Sequence, residues 1–270
     1  MLPRVDLIRA EENNWLLMNN RDHISDFIRK NGFWGHTEAT IGKVFLANRR
    51  NSNTLDVGAN LGGFTLPIAK FVSSLSGRVF SFEPQRIVFQ QLCANIFLNN
   101  LDNVHTHNIA LGDKNCDIKI PELNFWESQN VGGFSIDPQI RQNIHNEALI
   151  GKTFPNKESD NQYSVEQRTL DSFNLEFEIN LIKVDVEGFE LEFFVGASET
   201  IRKNNFPPII FELWSGKSWY EEKAEKTKSI LIDFGYSFLE FGREILAQHP
   251  NHDVKCVVDR NGENVNLRIA

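Results

Sequence analysis

At 270 residues, with 41% hydrophobic and 24% charged positions, the chain has room for one α/β domain with insertions and the make-up of an ordinary globular protein. A formal charge of −8, with no block of lysine or arginine, excludes a broad nucleic-acid surface, which needs clustered positive charge. Cys93, Cys116 and Cys256 lie far apart without CxxC spacing, against a disulfide frame or zinc site, and no apolar run approaches the ~20 residues of a membrane span.

In chain order, residues 1–50 read as a helical lead. The opening MLPRVDLIRAEENN lacks the apolar core of a signal peptide, so a cytoplasmic location is expected. Asp22 and Thr37 stand where helix N-caps belong, and ATIGKVFLANRR has apolar residues at helical spacing. Thr54 to Gly58 reads as a short buried strand, followed by a glycine turn and a helix through about Val72. Arg78 to Phe82 is a second strand, Gln85 to about Leu98 a helix, and Val104 to Leu111 a third strand. This β-α-β-α-β order predicts a parallel sheet with helices on both faces.

Residues 112–180 break the rhythm and read as an insertion between the third and fourth strands. CDIKIPEL and NVGGFSI suggest a hairpin, and Asp137 to Gln162 a loop-rich stretch suited to a lid. INLIKVDV is then a buried strand, Phe189 to about Lys203 a helix, PIIFEL a strand and Tyr220 to about Phe234 a helix. The tail alternates in YSFLEF, EILAQ, VKCVVD and VNLRI, which predicts closing antiparallel strands. The expected organisation is one α/β domain over residues 51–270 with a helical segment, residues 1–50, packed on it.

The stretch LDVGANLGGFT, which runs from Leu55 to Thr65, places a glycine turn at the carboxyl end of the first strand, where open parallel sheets bind ligands. Gly58 permits a backbone that a Cβ would obstruct, and Gly62 and Gly63 allow a ligand close to the helix N-terminus. Asn60 replaces the second glycine of GxGxxG, so a pyrophosphate is disfavoured. Glu83 closes the second strand, ahead of the turn residue Pro84, where a carboxylate accepts ribose hydroxyls. A ribose without a pyrophosphate describes S-adenosylmethionine, whose amino-acid end and sulfonium suit a turn flanked by Asp56.

DVGANLGGFT, VFSFEP, IALGD, TLD, LIKVDVEGFELEFFVGA and PPIIFEL occur in that order. Together they resemble the FkbM family of class I S-adenosylmethionine-dependent methyltransferases, from about Leu55 to Leu213. The resemblance implies a Rossmann-like, seven-stranded, mostly parallel sheet with its last strand antiparallel. It also implies methyl transfer, usually to a hydroxyl of a sugar, glycan or other natural product. It assigns Asp56, Gly58, Ala59, Asn60, Gly62, Phe64 and Thr65 to the cofactor turn, Glu83 and Pro84 to the ribose, and Ala110 to Asp113 to the adenine side. Asp185, Glu187 and Gly188 form the acidic block.

Methyl transfer to a hydroxyl needs a group that takes the proton, or a metal that acidifies it. Asp185 and Glu187, two apart at a strand end, are expected on one face, Asp185 near the cofactor, with Glu212 ending the next strand at similar height. One carboxylate could be a raised-pKa base, or Asp185, Glu187 and Glu212 could hold magnesium. His36, which sits with Trp34 and Glu38 in a segment able to fold over the site, is the alternative base, and His145 a lid candidate. His105 and His107 alternate on a strand with period two, so one of them is expected to face the sheet interior as a structural residue. Trp126, Asn130, Gly132, Gly133 and Phe134 could stack on a sugar or form a hairpin turn. The expected partner is a small-molecule or glycan acceptor, with neither nucleic acid nor a membrane. A catalytically inactive cofactor-binding module and an RNA or DNA methyltransferase are the alternatives. The last is disfavoured by the negative charge and by the lack of an Asn/Asp-Pro-Pro-aromatic motif after the fourth strand.

Overall fold

The computed structural model describes residues 2–10, 12–154, 156–252, 254–261 and 264–269. A hairpin of β1 (Val5–Arg9) and β2 (Asn14–Met18) precedes α1 (His23–Asn31) and α2 (His36–Leu46). An alternating half follows: β3 (Asn53–Val57), α3 (Thr65–Ser73), β4 (Arg78–Phe82), α4 (Arg86–Leu98) and β5 (Val104–His107). The insertion holds β6 (Ala110–Leu111), β7 (Cys116–Leu123), α5 (Pro138–Leu149) and β8 (Glu158–Arg168). The second half comprises β9 (Leu181–Val184), α6 (Glu190–Gly196), α7 (Ser198–Lys203), β10 (Ile209–Glu212), α8 (Glu221–Asp233), β11 (Ser237–Phe241) and β12 (Glu244–Gln248). A last hairpin joins β13 (Cys256–Asn261) to β14 (Asn264–Ile269).

Seven strands form the central sheet in the order β11-β12-β10-β9-β3-β4-β5. The pairs β9–β10, β3–β9, β3–β4 and β4–β5 are parallel, and β12 runs antiparallel to β10 and β11. The strand order reverses beside β3, so the carboxyl ends of β3 and β9 border the crevice such sheets use for ligands. Strand residues alternate between two cores, as a period of two requires. Val79, Leu181 and Ile210 pack with Phe45, Leu66 and Leu92 on one face. Phe80, Ile182 and Phe211 pack with Phe193, Ile201 and Leu231 on the other.

The lead is helical only in part. VDLIR and NWLLM alternate with period two and pair from Val5↔Met18 to Arg9↔Asn14, burying Trp15 and Leu17 in the same core as Leu92. Asn95 of α4 and Asn99, the residue capping its C-terminus, hold this hairpin by accepting from the Leu16 and Asn14 amides respectively. Asp22 caps α1 as its sequence position predicts, accepting from Ser25 N. Thr37 is not a cap, because Gly35 at φ +68 fills that place and α2 begins at His36. The predicted third strand splits: Asn108 donates to the Glu83 and Pro84 carbonyls and bends the chain after His107, so Ala110–Leu111 joins a separate sheet.

The insertion departs further from expectation. NVGGFSI is not a strand, and β7 pairs instead with β8, part of which falls in the stretch read as loop. That stretch also contains α5, capped by Asp137 and opened by Pro138 at its first position. The helix expected over Phe189 to Lys203 breaks at Ala197, where Gly196 lies so near the Gly112 carbonyl that a Cβ would stand 1.9 Å from its oxygen. Of the tail strands, β11 and β12 close the main sheet, while β13 and β14 pair with each other.

Candidate active site

The turn after β3 is shaped by the neighbouring strand end. Gly58, at φ +79, lies where a Cβ would stand 1.8 Å from the Asp185 carbonyl oxygen, so no other residue fits. Side chains, not open space, lie against the next two glycines: Leu92 and Leu66 against Gly62, and Trp34 against Gly63. Asn60 adopts φ +49, which asparagine tolerates, and its amide donates to Glu83 Oε2 at 2.9 Å. Gln85 N donates to Glu83 Oε1, also at 2.9 Å. Each Glu83 oxygen thus holds one N–H and retains further acceptor capacity. Burial pushes the Glu83 carboxyl up to about 7 against these two donors.

Beneath the turn lies a residue that the sequence reading did not single out. Lys183, in the middle of β9, is on the same sheet face as Asp56 and is 8% exposed. Its ammonium stands 3.4 Å from Asp56 Oδ1, 3.4 Å from Asp185 Oδ2 and 3.1 Å from the Gly58 carbonyl. Burial works to lower its pKa, but Asp185 and Asp56 outweigh it and hold the amine charged. Asp56 is fully buried and accepts from Thr65 Oγ1 at 2.6 Å. Burial raises its carboxyl, and Lys183 and Thr65 oppose that rise. The one signal in the sequence was the lysine itself, a charge within the apolar run LIKV.

The acidic block follows β9 and is not part of it. The strand ends at Val184, and Glu187 takes φ +53, a costly conformation for its side chain. Glu190 holds this turn: Oε1 accepts from Val186 N and Gly188 N, and Oε2 accepts from Tyr220 Oη at 2.7 Å. Asp185, Glu187 and Glu212 bring carboxylate oxygens within 4.8 Å of one another. Burial, then Asp185 and Glu212, drive Glu187 well above the usual carboxylate range. Burial and Asp185 push Glu212 to about 8 and, with Glu38, Glu244 to about 9.

Two cavities meet at this edge. One of about 530 Å³ is lined by Gly58, Glu83, Pro84, Ala110, Leu111, Gly132 and Phe134. The other, of about 1440 Å³, is lined by His23, Trp34, Glu38, Ala59, Phe64, Asn130, Phe154, Trp214 and Glu244. Asn60, Asp185 and Glu187 line both, and Lys183 and Glu212 face the larger one. Thr65 and Asp56 lie below the turn, and Asp113 sits outside both cavities, accepting from Gln167. His36 is exposed and packs on Phe33, away from the carboxylates. Its segment does reach the site through Trp34 and Glu38, the latter about 200° around the helix from His36. His145 is on α5 beside a separate surface cavity. His23, stacked on Phe154 at 4.8 Å, is the histidine at the larger cavity among the described residues.

The reversed strand order, the glycine turn against β9 and the acidic strand end of β4 define a Rossmann-like class I methyltransferase fold. The family pattern of the methyltransferase FkbM domain matches residues 56–238, and the chain belongs to that family. The 23S rRNA (uracil(1939)-C(5))-methyltransferase RlmD of Psychromonas ingrahamii is 31% identical over 114 residues, covering 42% of this chain and 24% of that protein. Methyltransferase 1 of Beauveria bassiana is 26% identical over 158 residues, 55% of this chain and 59% of that protein. The chain therefore spans about a quarter of the length of the rRNA methyltransferase it matches. The crystal structure of methyltransferase FkbM from Methylobacillus flagellatus aligns at TM-score 0.47 and 15% identity, over 85% of this chain and 48% of that one. No helix among the described residues is long and apolar enough to cross a membrane.

Two outcomes follow from the buried charges. Lys183→Met leaves Asp56 buried and uncompensated, so denaturant unfolding should show a loss of about 3–5 kcal/mol. Adding Asp56→Asn should recover part of it; a single variant as stable as wild type would remove the ion pair from its structural role. Glu83 takes up a proton on folding because its folded pKa lies above its unfolded one. Its contribution is therefore full below about pH 4.5 and is lost as pH rises through about 7, by up to about 3 kcal/mol. The thermal midpoint of wild type relative to Glu83→Gln should fall between pH 5 and 8; a constant difference would count against it.

Proposed function

We propose that the protein is an S-adenosylmethionine-dependent O-methyltransferase acting on a hydroxyl of a sugar, glycan or other small polyol. The observation that carries this reading is the meeting of two cavities at Asn60, Asp185 and Glu187, the smaller lined by Glu83 and apolar side chains and the larger by carboxylates and tryptophans. The smaller cavity suits the cofactor: the Glu83 carboxylate faces it with acceptor capacity to spare, and Ile109, Leu111 and Phe134 give it apolar walls. Glu83 would hold the ribose hydroxyls, Ala110 would border the base, and the Gly58 to Asn60 backbone would face the amino-acid end. When bound, S-adenosylmethionine supplies the electrophilic methyl carbon.

The protein's own part is to orient the acceptor hydroxyl and receive its proton. Asp185, held by Lys183, accepts a hydrogen bond from the hydroxyl and fixes its direction. Glu187, which borders both cavities beside Asp185, is in its ionised form the proton acceptor. The same oxygens suit a hard divalent ion. Asp185, Glu187 and Glu212 would hold magnesium, which would acidify the hydroxyl, and the buried Asp185 Oδ1, which has no hydrogen-bond partner, is consistent with such a ligand. The rRNA methyltransferase among the relatives favours a second reading, RNA methylation. Five carboxylates lining the larger cavity weigh against a polyanionic acceptor.

Calorimetry should show S-adenosylmethionine and its demethylated product binding, and Glu83→Ala weakening both by roughly ten-fold or more, from about 1.5–3 kcal/mol per charge-assisted bond. Unchanged affinity in a folded variant would refute the ribose assignment. Asp185→Asn should leave cofactor affinity nearly unchanged while turnover falls by ~10²–10⁴, with the thermal midpoint checked alongside. Turnover within a few-fold of wild type would make Asp185 structural. If Asp185, Glu187 and Glu212 share a magnesium ion, chelation should abolish turnover and added magnesium restore it; activity that survives chelation assigns proton removal to the carboxylates alone.

A further inference from the structure

Resting on the methyltransferase reading, the larger cavity has a charge imbalance that proton removal does not require. The β10–β12 register places Glu212 directly opposite Glu244, and like charges in that position destabilise a sheet. Glu38 of α2 adds a third carboxylate to the same wall. Among the described residues, Arg243 is the one side chain paired with Glu212 or Glu244, 3.8 Å from Glu212 and 78% exposed. Lys183 is committed to Asp56 and Asp185, and Lys152 is exposed. A divalent ion on Asp185, Glu187 and Glu212 would leave Glu38 and Glu244, among the described residues, without a direct ion-pair partner, since Lys183, whose charge reaches both, is paired with Asp56 and Asp185. Trp34 and Trp214 line the same space, and the Trp214 ring already takes the Lys217 ammonium at 5.8 Å from its centre.

We propose that the acceptor carries a protonated amine beside the hydroxyl to be methylated, as amino sugars and other polyhydroxylated amines do, and that Glu38 and Glu244 receive that amine against the Trp34 and Trp214 rings. A cation there turns a repulsive cross-strand pair into a binding site. The same wall repels phosphorylated and carboxylated acceptors, so selectivity comes from exclusion as well as attraction.

The test supplies the full chain and labelled S-adenosylmethionine with three matched acceptor sets: amino sugars, the same sugars N-acetylated, and sugar phosphates. Methyl incorporation into the amino sugars should exceed that into their N-acetyl counterparts at least ten-fold. Glu244→Gln and Glu38→Gln should each erase most of that ratio while cofactor affinity and thermal midpoint stay near wild type. Equal or faster methylation of the N-acetylated or phosphorylated sets overturns the proposal. So does a ratio that both variants leave intact, or one that follows added magnesium instead of the amine. Calorimetry on the same samples separates the two layers. Absent cofactor binding removes the methyltransferase reading itself, whereas cofactor binding with no amine preference, or no acceptor taken at all, removes this inference alone.

Discussion

The ammonium of Lys183, buried between Asp56 and Asp185, fixes the relation between the two halves of the sheet at the edge where ligands bind. Isolated charges in an apolar layer cost several kcal/mol each, so the arrangement is stable only as a set. Its third partner, the Gly58 carbonyl, ties the turn after β3 to the turn after β9. The Asp185 carbonyl, packed where a Gly58 side chain would stand, ties them again through main chain. A shift of either turn would break an ion pair and open a steric contact together. That rigidity is what a displacement reaction asks of two binding compartments, because alignment of the reacting groups is much of the catalysis.

Outward from that ammonium the carboxylates become less well compensated. Asp56 has Lys183 and Thr65. Glu190, although 1% exposed, has a tyrosine hydroxyl and two backbone amides, so it reads as a brace for the Val186 to Gly188 turn. Glu187, Glu212 and Glu244 are raised by burial and then by Asp185 and other nearby carboxylates. Satisfied carboxylates mark architecture; unsatisfied ones mark where a ligand is to supply what the fold withholds.

Much of this was legible in the chain because local rules dominate there. LDVG followed by a helix, and SFEP at the end of the next strand, specify a turn and an acidic edge whatever surrounds them, and both lie where expected. Lys183 was harder to see because period-two alternation reports which face a residue occupies, while its value depends on Asp56, more than 100 residues earlier and paired only by the sheet register. Short amphipathic runs such as VDLIR fit helix or strand equally, and the choice of hairpin rests on Asn95 of a distant helix and on Asn99, which caps its C-terminus. His36 drew notice as a chemical type. Helix phase, set by Gly35 starting α2, turns Glu38 inward instead.

The division of labour along the chain follows from the same geometry. The family pattern spans residues 56–238, which includes the glycine turn, Glu83 and the acidic block. Much of the wall of the larger cavity lies outside those limits: His23, Trp34 and Glu38 come before it, and Arg243 and Glu244 after it. The insertion completes both compartments, since Gly132 and Phe134 border the smaller cavity and Asn130 and Phe154 the larger. This roof is anchored by Asp22, which accepts from Val131 N, and by Gln85, which donates to the Val131 carbonyl. The chemistry thus rests on strand ends that the sheet register holds in place. The rest of the larger cavity's wall comes from segments packed around that edge, outside Lys183 and its partners. A family assignment can therefore specify the reaction class and still leave the acceptor to be read from the charges on this wall.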